Sequence, residues 1–168
     1  MFLAILISRS ILAQRHEFER KILPKAEAEH WLASINWAGL QSRVQGMDVE
    51  LNNLITNNDI RKDNIFWKAL EVDLRQLGSR IVGSISGQLS RFQREQPGYY
   101  GELGSVIIHE TLYSLFAKTD PSLVEPLTVR EFISAVLVPE AAVRLIMQDM
   151  SLEREKAEAV LRDSPRSC

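Results

Sequence analysis

Cysteine is almost missing from this chain of 168 residues: there is one, Cys168, and it comes last. A single thiol forms no intrachain disulfide and no thiolate metal cage, and it suits a reducing compartment. Histidine is scarce as well, with only His16, His30 and His109. No two of them stand four residues apart, the spacing that turns two imidazoles to one helical face, so neither a metal site nor a cofactor is expected. Long apolar runs are also absent. The stretch 1–7 is apolar, but Arg9 cuts it far short of the roughly 20 residues that cross a bilayer, and no basic residues precede it as in a secretory signal. The start of the chain therefore reads as a strand or helix docked on the core, or as what stands where a longer upstream region was lost, and the second reading is preferred. Charge of one sign is missing too. Lys and Arg number 20 against 22 Asp and Glu, a net charge of −2, which argues against a generic polyanion binder, an acidic tail and wholesale disorder.

Catalytic signatures are equally thin. Gly83 to Gly87 carries two serines but is not the Gly-x-Ser-x-Gly elbow, and there is no phosphate loop and no dinucleotide fingerprint. Glu125, Glu131, Glu140 and Asp149 are scattered along the chain. His109 and Glu110 are sequence neighbours, which a helix points apart; His16 and Glu19, three apart, read as a structural hydrogen bond. Glu140 and Arg144, four apart, read as an ordinary exposed ion pair. No catalytic residue is assigned, and the chain is not expected to be an enzyme.

What remains is helical periodicity. At about 150 residues per domain the length suits one domain, and with 45% apolar residues it can bury a real core. No alternation bounded by hairpin turns appears, so the expected class is all-α: a single compact multi-helix domain over 11–161, after an atypical segment 1–10 and before a frayed tail 162–168. Apolar spacing predicts a helix through Ile11, Phe18 and Ile22 up to Pro24, then a short one over 25–32. A long amphipathic helix follows through Leu40, Val44, Met47, Leu51, Leu54 and Ile55. Asn57 to Asp59 reads as a turn. Asp63 then caps a helix with Phe66, Leu70, Leu74 and Leu77 inside, ended by Gly78. A short helix is expected over 87–92, and Pro97 to Gly101 forms a loop. Val106, Ile108, Leu112, Leu115 and Phe116 stripe the next helix. Thr128 and Glu131 form a capping box, and Pro139 kinks that helix or starts another. Val143, Ile146, Met147 and Met150 make a further face, and Ser151 caps a last helix to about Leu161.

Two stretches, taken together, resemble a known family. One is Arg91 and Phe92, then Gln96, Pro97, Gly98, Tyr99, Tyr100, Gly101 and Gly104. The other runs from Ala135 through Pro139, Glu140 and Arg144 to Met150. They look like the C-terminal domain of the fungal family named for restriction of telomere capping protein 4. His16, Glu19, Ile22, Leu23, Pro24, Trp31 and Trp37 stand in the order of that family's opening, so the likeness spans about 11–161. The chain departs from the pattern at Ala13, where relatives often place a cysteine, and a methyl group binds no metal. The resemblance implies no established reaction, an association with telomere capping, and a nuclear and cytoplasmic location.

The residues point to a partner surface at the glycine-bounded loop. Tyr99 and Tyr100 can present aromatic area, with Arg91 and Arg94 beside them, while Gly101 and Gly104 can offer amides at a helix start. The alternative reading turns the tyrosines inward to plug the helical bundle. A protein partner is expected, and direct binding of single-stranded or telomeric DNA by the basic and aromatic surface is the competing expectation.

Overall fold

Residues 37–77 and 99–163 are described here from a computed structural model, and among them there is helix and turn but no strand. The chain divides into two units, Met1–Asn36 and Trp37–Cys168, and every described residue belongs to the second. The helices expected over 11–22, 25–32 and 87–92 and the Gly78 cap lie outside the described residues.

The order is α1 (Trp37–Gln45), α2 (Asp48–Thr56), α3 (Asn58–Asp63), α4 (Ile65–Leu77), α5 (Gly101–Phe116), a 3₁₀ turn (Pro121–Leu123), α6 (Val129–Phe132), a π-helical segment (Ile133–Leu137), α7 (Val138–Met150) and α8 (Arg154–Asp163). The last three elements before α8 run on without a break and form one rod. From Phe132 to Leu137, and again at Pro139, Ala141, Val143, Leu145 and Ile146, this rod is buried. A helix apolar on all sides belongs in the centre of a bundle, and the other elements gather round it: α5 packs on the π segment and α7, α4 on the π segment, and α8 on α7, while α1 lies against α5.

The capping box is present: Thr128 Oγ1 accepts from Glu131 N–H, and the Glu131 carboxylate accepts from Thr128 N–H. Pro139 acts at the second position of α7. It has no N–H for the carbonyl of Ala135, and its ring crowds that turn. The chain answers with a wider turn, in which Val138 N–H donates to Ile133 O five residues back, the bond of a π-bulge.

Several expectations are corrected. The six apolar positions from Leu40 to Ile55 are all buried, yet they sit on two helices. Gly46 is a poor helix former, and Met47 N–H turns to Val44 O at 3.0 Å, a tighter bond that ends α1 before Leu51 N–H resumes the ladder on Met47 O. Asn57 to Asp59 is no loop: Asn57 Oδ1 accepts from Asp59 and Ile60 N–H and caps α3. The cap of α4 is Asn64, whose Oδ1 takes the N–H groups of Phe66 and Trp67, while Asp63 closes α3. Phe66, Leu70 and Leu74 are only half-buried and Trp67 is the buried residue of that face. On α5, Leu115 is exposed and Thr111 is buried, its hydroxyl satisfied by Ile107 O at 2.7 Å. Met150 is exposed. Ser151, with φ of 50°, ends α7 in the left-handed conformation instead of starting α8.

The largest correction concerns Glu140. It is 1% exposed and accepts at both oxygens: Arg144 Nε at 2.8 Å and Arg154 Nη1 at 2.9 Å on Oε1, Arg154 Nη2 at 2.6 Å and Asn64 Nδ2 at 2.8 Å on Oε2. A carboxylate accommodates about four such donors, and the Arg154 pairing is the two-pronged kind. One side chain thus joins the central rod to the cap of α4 and the first residue of α8. Burial alone would raise its pKa, but the hydrogen bonds and charges of Arg154 and Arg144 outweigh that and hold it below the usual carboxylate value. Glu140→Ala leaves two guanidiniums without their anion, and urea unfolding is expected to show a loss of about 3–5 kcal/mol. Arg144, a third exposed, costs less to remove. Because the folded pKa is depressed, this contribution is whole above the unfolded carboxylate value and is lost as pH falls through the folded one. A Glu140→Gln chain is expected to be weaker at neutral pH and to lose less on acidification.

Candidate functional site

Among the described residues two further corners bring charged hydrogen bonds together outside the Glu140 cluster, and Tyr99, Tyr100, Gly101 and Gly104, of the residues expected to form a site, lie at one of them. Tyr99 and Tyr100 form the turn that leads into α5. They are 8% and 2% exposed and meet edge to face, with ring centroids 4.9 Å apart. Of their two readings, the inward one describes the geometry. Tyr100 O–H donates to Asp149 Oδ2 at 2.5 Å, and Asp149 Oδ1 is held by Arg43 Nη2 at 2.7 Å. Arg43 also donates to Leu145 O and to Gln148 Oε1, so the corner ties α1, α7 and the entry to α5. Burial first, then the bond to Asp149, pushes the Tyr100 phenol well up from its ordinary value, and it remains a donor. Gly101 opens α5 with φ of 64°, which is why a glycine stands there. Gly104 is buried, its N–H on Tyr100 O. Arg91 and Arg94 lie outside the described residues, as do His16 and His30.

His109, half-buried on α5, meets Ser134 of the π segment, Nε2 to Oγ at 3.1 Å. Its Nδ1 lies 3.7 Å from Glu110 Oε1, although sequence neighbours on a helix were expected to diverge. Ser134 is itself buried among Ile133, Ala135 and Val136, so the pair serves packing between α5 and the rod. No group of three or more His, Cys, Asp or Glu side chains that could hold a metal occurs among the described residues. No described helix is long and apolar enough to cross a membrane.

The second place was not foreseen. Arg61 is buried in the last turn of α3. Its Nη1 donates to Ile55 O at 3.1 Å and to Leu123 O at 2.6 Å, and its Nη2 to Asn58 Oδ1 at 3.2 Å. The guanidinium lies over the Trp67 ring, 4.9 Å from the centroid, and 6.0 Å from that of Phe132. Burial lowers its pKa, offset in part by the charge of Glu71. It holds the end of α3 to the 3₁₀ turn and to the start of the rod. Arg61 Nε and Trp67 Nε1 are buried donors without an acceptor. The only signal in sequence was the capping asparagine that makes α3 a helix.

A family model described as the RTC4-like domain matches residues 59–166, a span that holds Arg61, Trp67, the tyrosine turn and the Glu140 cluster. No curated protein matches the chain, and no solved structure does.

The tyrosine turn yields two separable expectations. Gly101→Ala adds a methyl that meets nothing within 4 Å, so any loss comes from the backbone alone. Thermal and urea unfolding should place that loss at about 1–2 kcal/mol. Tyr100→Phe keeps the ring and removes the donor to a charged acceptor, and should cost about 1.5 kcal/mol. If Tyr100→Phe unfolds as the parent does, the bond to Asp149 contributes nothing.

Proposed function

The chain belongs to the RTC4-like domain family, and from that premise we propose that it works as an interaction domain in a nuclear process linked to telomere capping, present in nucleus and cytoplasm. The RTC4-like domain is not a known enzyme family, and the polar clusters of the described part are spent on joining helices. The observation that carries the reading is exposed apolar area: Ile60 on α3, Ile65 on α4 and Leu123 on the 3₁₀ turn, which Arg61 ties to α3, stay 43%, 40% and 40% exposed, and the core of an interface buries such area. At the other corner the tyrosines are enclosed. A partner reaching it meets the start of α5 at Gly101.

Direct DNA binding has less support. Stacking needs open aromatic faces, which Tyr99 and Tyr100 do not offer, and the net charge is −2. The test is affinity purification with quantitative mass spectrometry, comparing the native chain with an Ile60→Asp/Leu123→Asp variant whose melting temperature is matched. A partner set that falls about fivefold or more in the variant, as hot-spot loss produces, is the expected result. Equal recovery removes this surface from the reading, and a mobility shift on single-stranded DNA that weakens steeply with salt favours the competing one.

A further inference from the structure

Little apolar surface holds α8 to the rod. Six of its ten residues are charged, and among its described side chains Ala157 alone is buried. By contrast α5 buries Ile108, Leu112 and Phe116. Apolar attraction grows with the area covered, and one methyl group supplies little of it. Nor does a helix of this length persist by itself, since isolated helices shorter than about 12–15 residues are marginal in water. What fixes α8 is its first residue. Arg154 Nη1 and Nη2 donate to the two oxygens of Glu140 at 2.9 and 2.6 Å, and Nε donates to Glu158, within α8, at 2.7 Å.

That bond is placed so that it breaks without unfolding the rod. The Arg154 side chain is 37% exposed, so its guanidinium already borders water. When it leaves, Glu140 keeps Arg144 Nε and Asn64 Nδ2, and with α8 gone its carboxylate meets water, so the penalty of an isolated buried charge is not incurred. The connection to α7 carries its own strain. Ser151 is exposed and stands in the left-handed conformation, with φ of 50°, which a residue with a Cβ adopts only at a cost. Leu152 N–H, on Met147 O at 3.2 Å, closes this turn, and moving α8 away releases it.

We propose that α8 is a strap that leaves the rod as one unit while the other described helices stay folded, with the Arg154–Glu140 fork as its latch and Ser151 as its hinge. Opening brings to the surface of α7 a carboxylate that the closed fold hides. The inference does not depend on the interaction reading.

The test is native-state hydrogen exchange on the full chain, read residue by residue. The amides from Ala157 to Arg162 should exchange through one shared opening, about a hundredfold or more often than the buried amides of the rod. Arg154→Gln removes the fork and should speed these amides about tenfold or more while those of the rod and α5 keep their rates. Glu158→Gln loosens Arg154 from within α8 without touching the rod, and should act in the same direction by about twofold. Should Arg154→Gln fail to fold, the native pattern and Glu158→Gln decide. Three results overturn the proposal: α8 amides that exchange only as slowly as the rod's; protection that fades gradually from Arg162 inward while Ala157 keeps the rod's rate, which is fraying of a helix end; or an Arg154→Gln chain in which the rod's amides speed up as much as those of α8, which makes the two one cooperative unit.

Discussion

A negative charge in the middle of an apolar rod is the constraint on which this fold turns. Glu140 lies between Pro139 and Ala141, both buried, where an isolated carboxylate would cost several kcal/mol. It is tolerated because four donors converge on it, and three of them, from Asn64 and Arg154, are placed by other helices. Apolar faces attract without direction, so packing alone lets helices slide and turn against one another. A two-pronged guanidinium bond permits one placement of α8, and the Asn64 amide permits one placement of the α4 cap. Asn64 does both jobs at once, holding the first N–H groups of α4 through Oδ1 and Glu140 through Nδ2.

Asp149 repeats the arrangement at the other end of α7. Nine residues separate it from Glu140, which at about 100° per residue puts the two carboxylates on opposite sides of the helix. One side faces α4 and α8, the other α1 and the entry to α5. The rod is therefore held from both flanks by charged hydrogen bonds, and each draws on a residue far away in sequence. Tyr100 belongs to this system, which is why its ring turns inward although a glycine-bounded pair of tyrosines resembles a contact surface.

What was legible in the sequence follows from how local its cause is. The buried stripe from Leu40 to Ile55, the stripe of α5 at Ile108, Leu112 and Phe116, and the Thr128 capping box all come from residues within a few positions of one another. The break after Gly46 was harder, because the apolar spacing runs across it undisturbed. Glu140 and Arg144 show an i,i+4 pair like those on any exposed helix. Only Asn64, 76 residues away, and a second arginine at the next helix start turn that pair into a core cluster. Arg61 carried no signal of its own: its burial depends on the carbonyl of Leu123, 62 residues on, and on an α3 that had read as a turn.

The two buried charges differ in one respect. Around Glu140 the donors are matched to the acceptor sites, so the cluster is closed and has nothing left to bind. Around Arg61 the match is incomplete, and among the described residues the two buried side-chain atoms without a hydrogen-bond partner both sit there. Replacing buried charge with apolar volume is often neutral, but an uncharged side chain beside Trp67 and Phe132 would leave the carbonyls of Ile55 and Leu123 without this donor, so the guanidinium is kept for the bonds that hold α3 against the 3₁₀ turn.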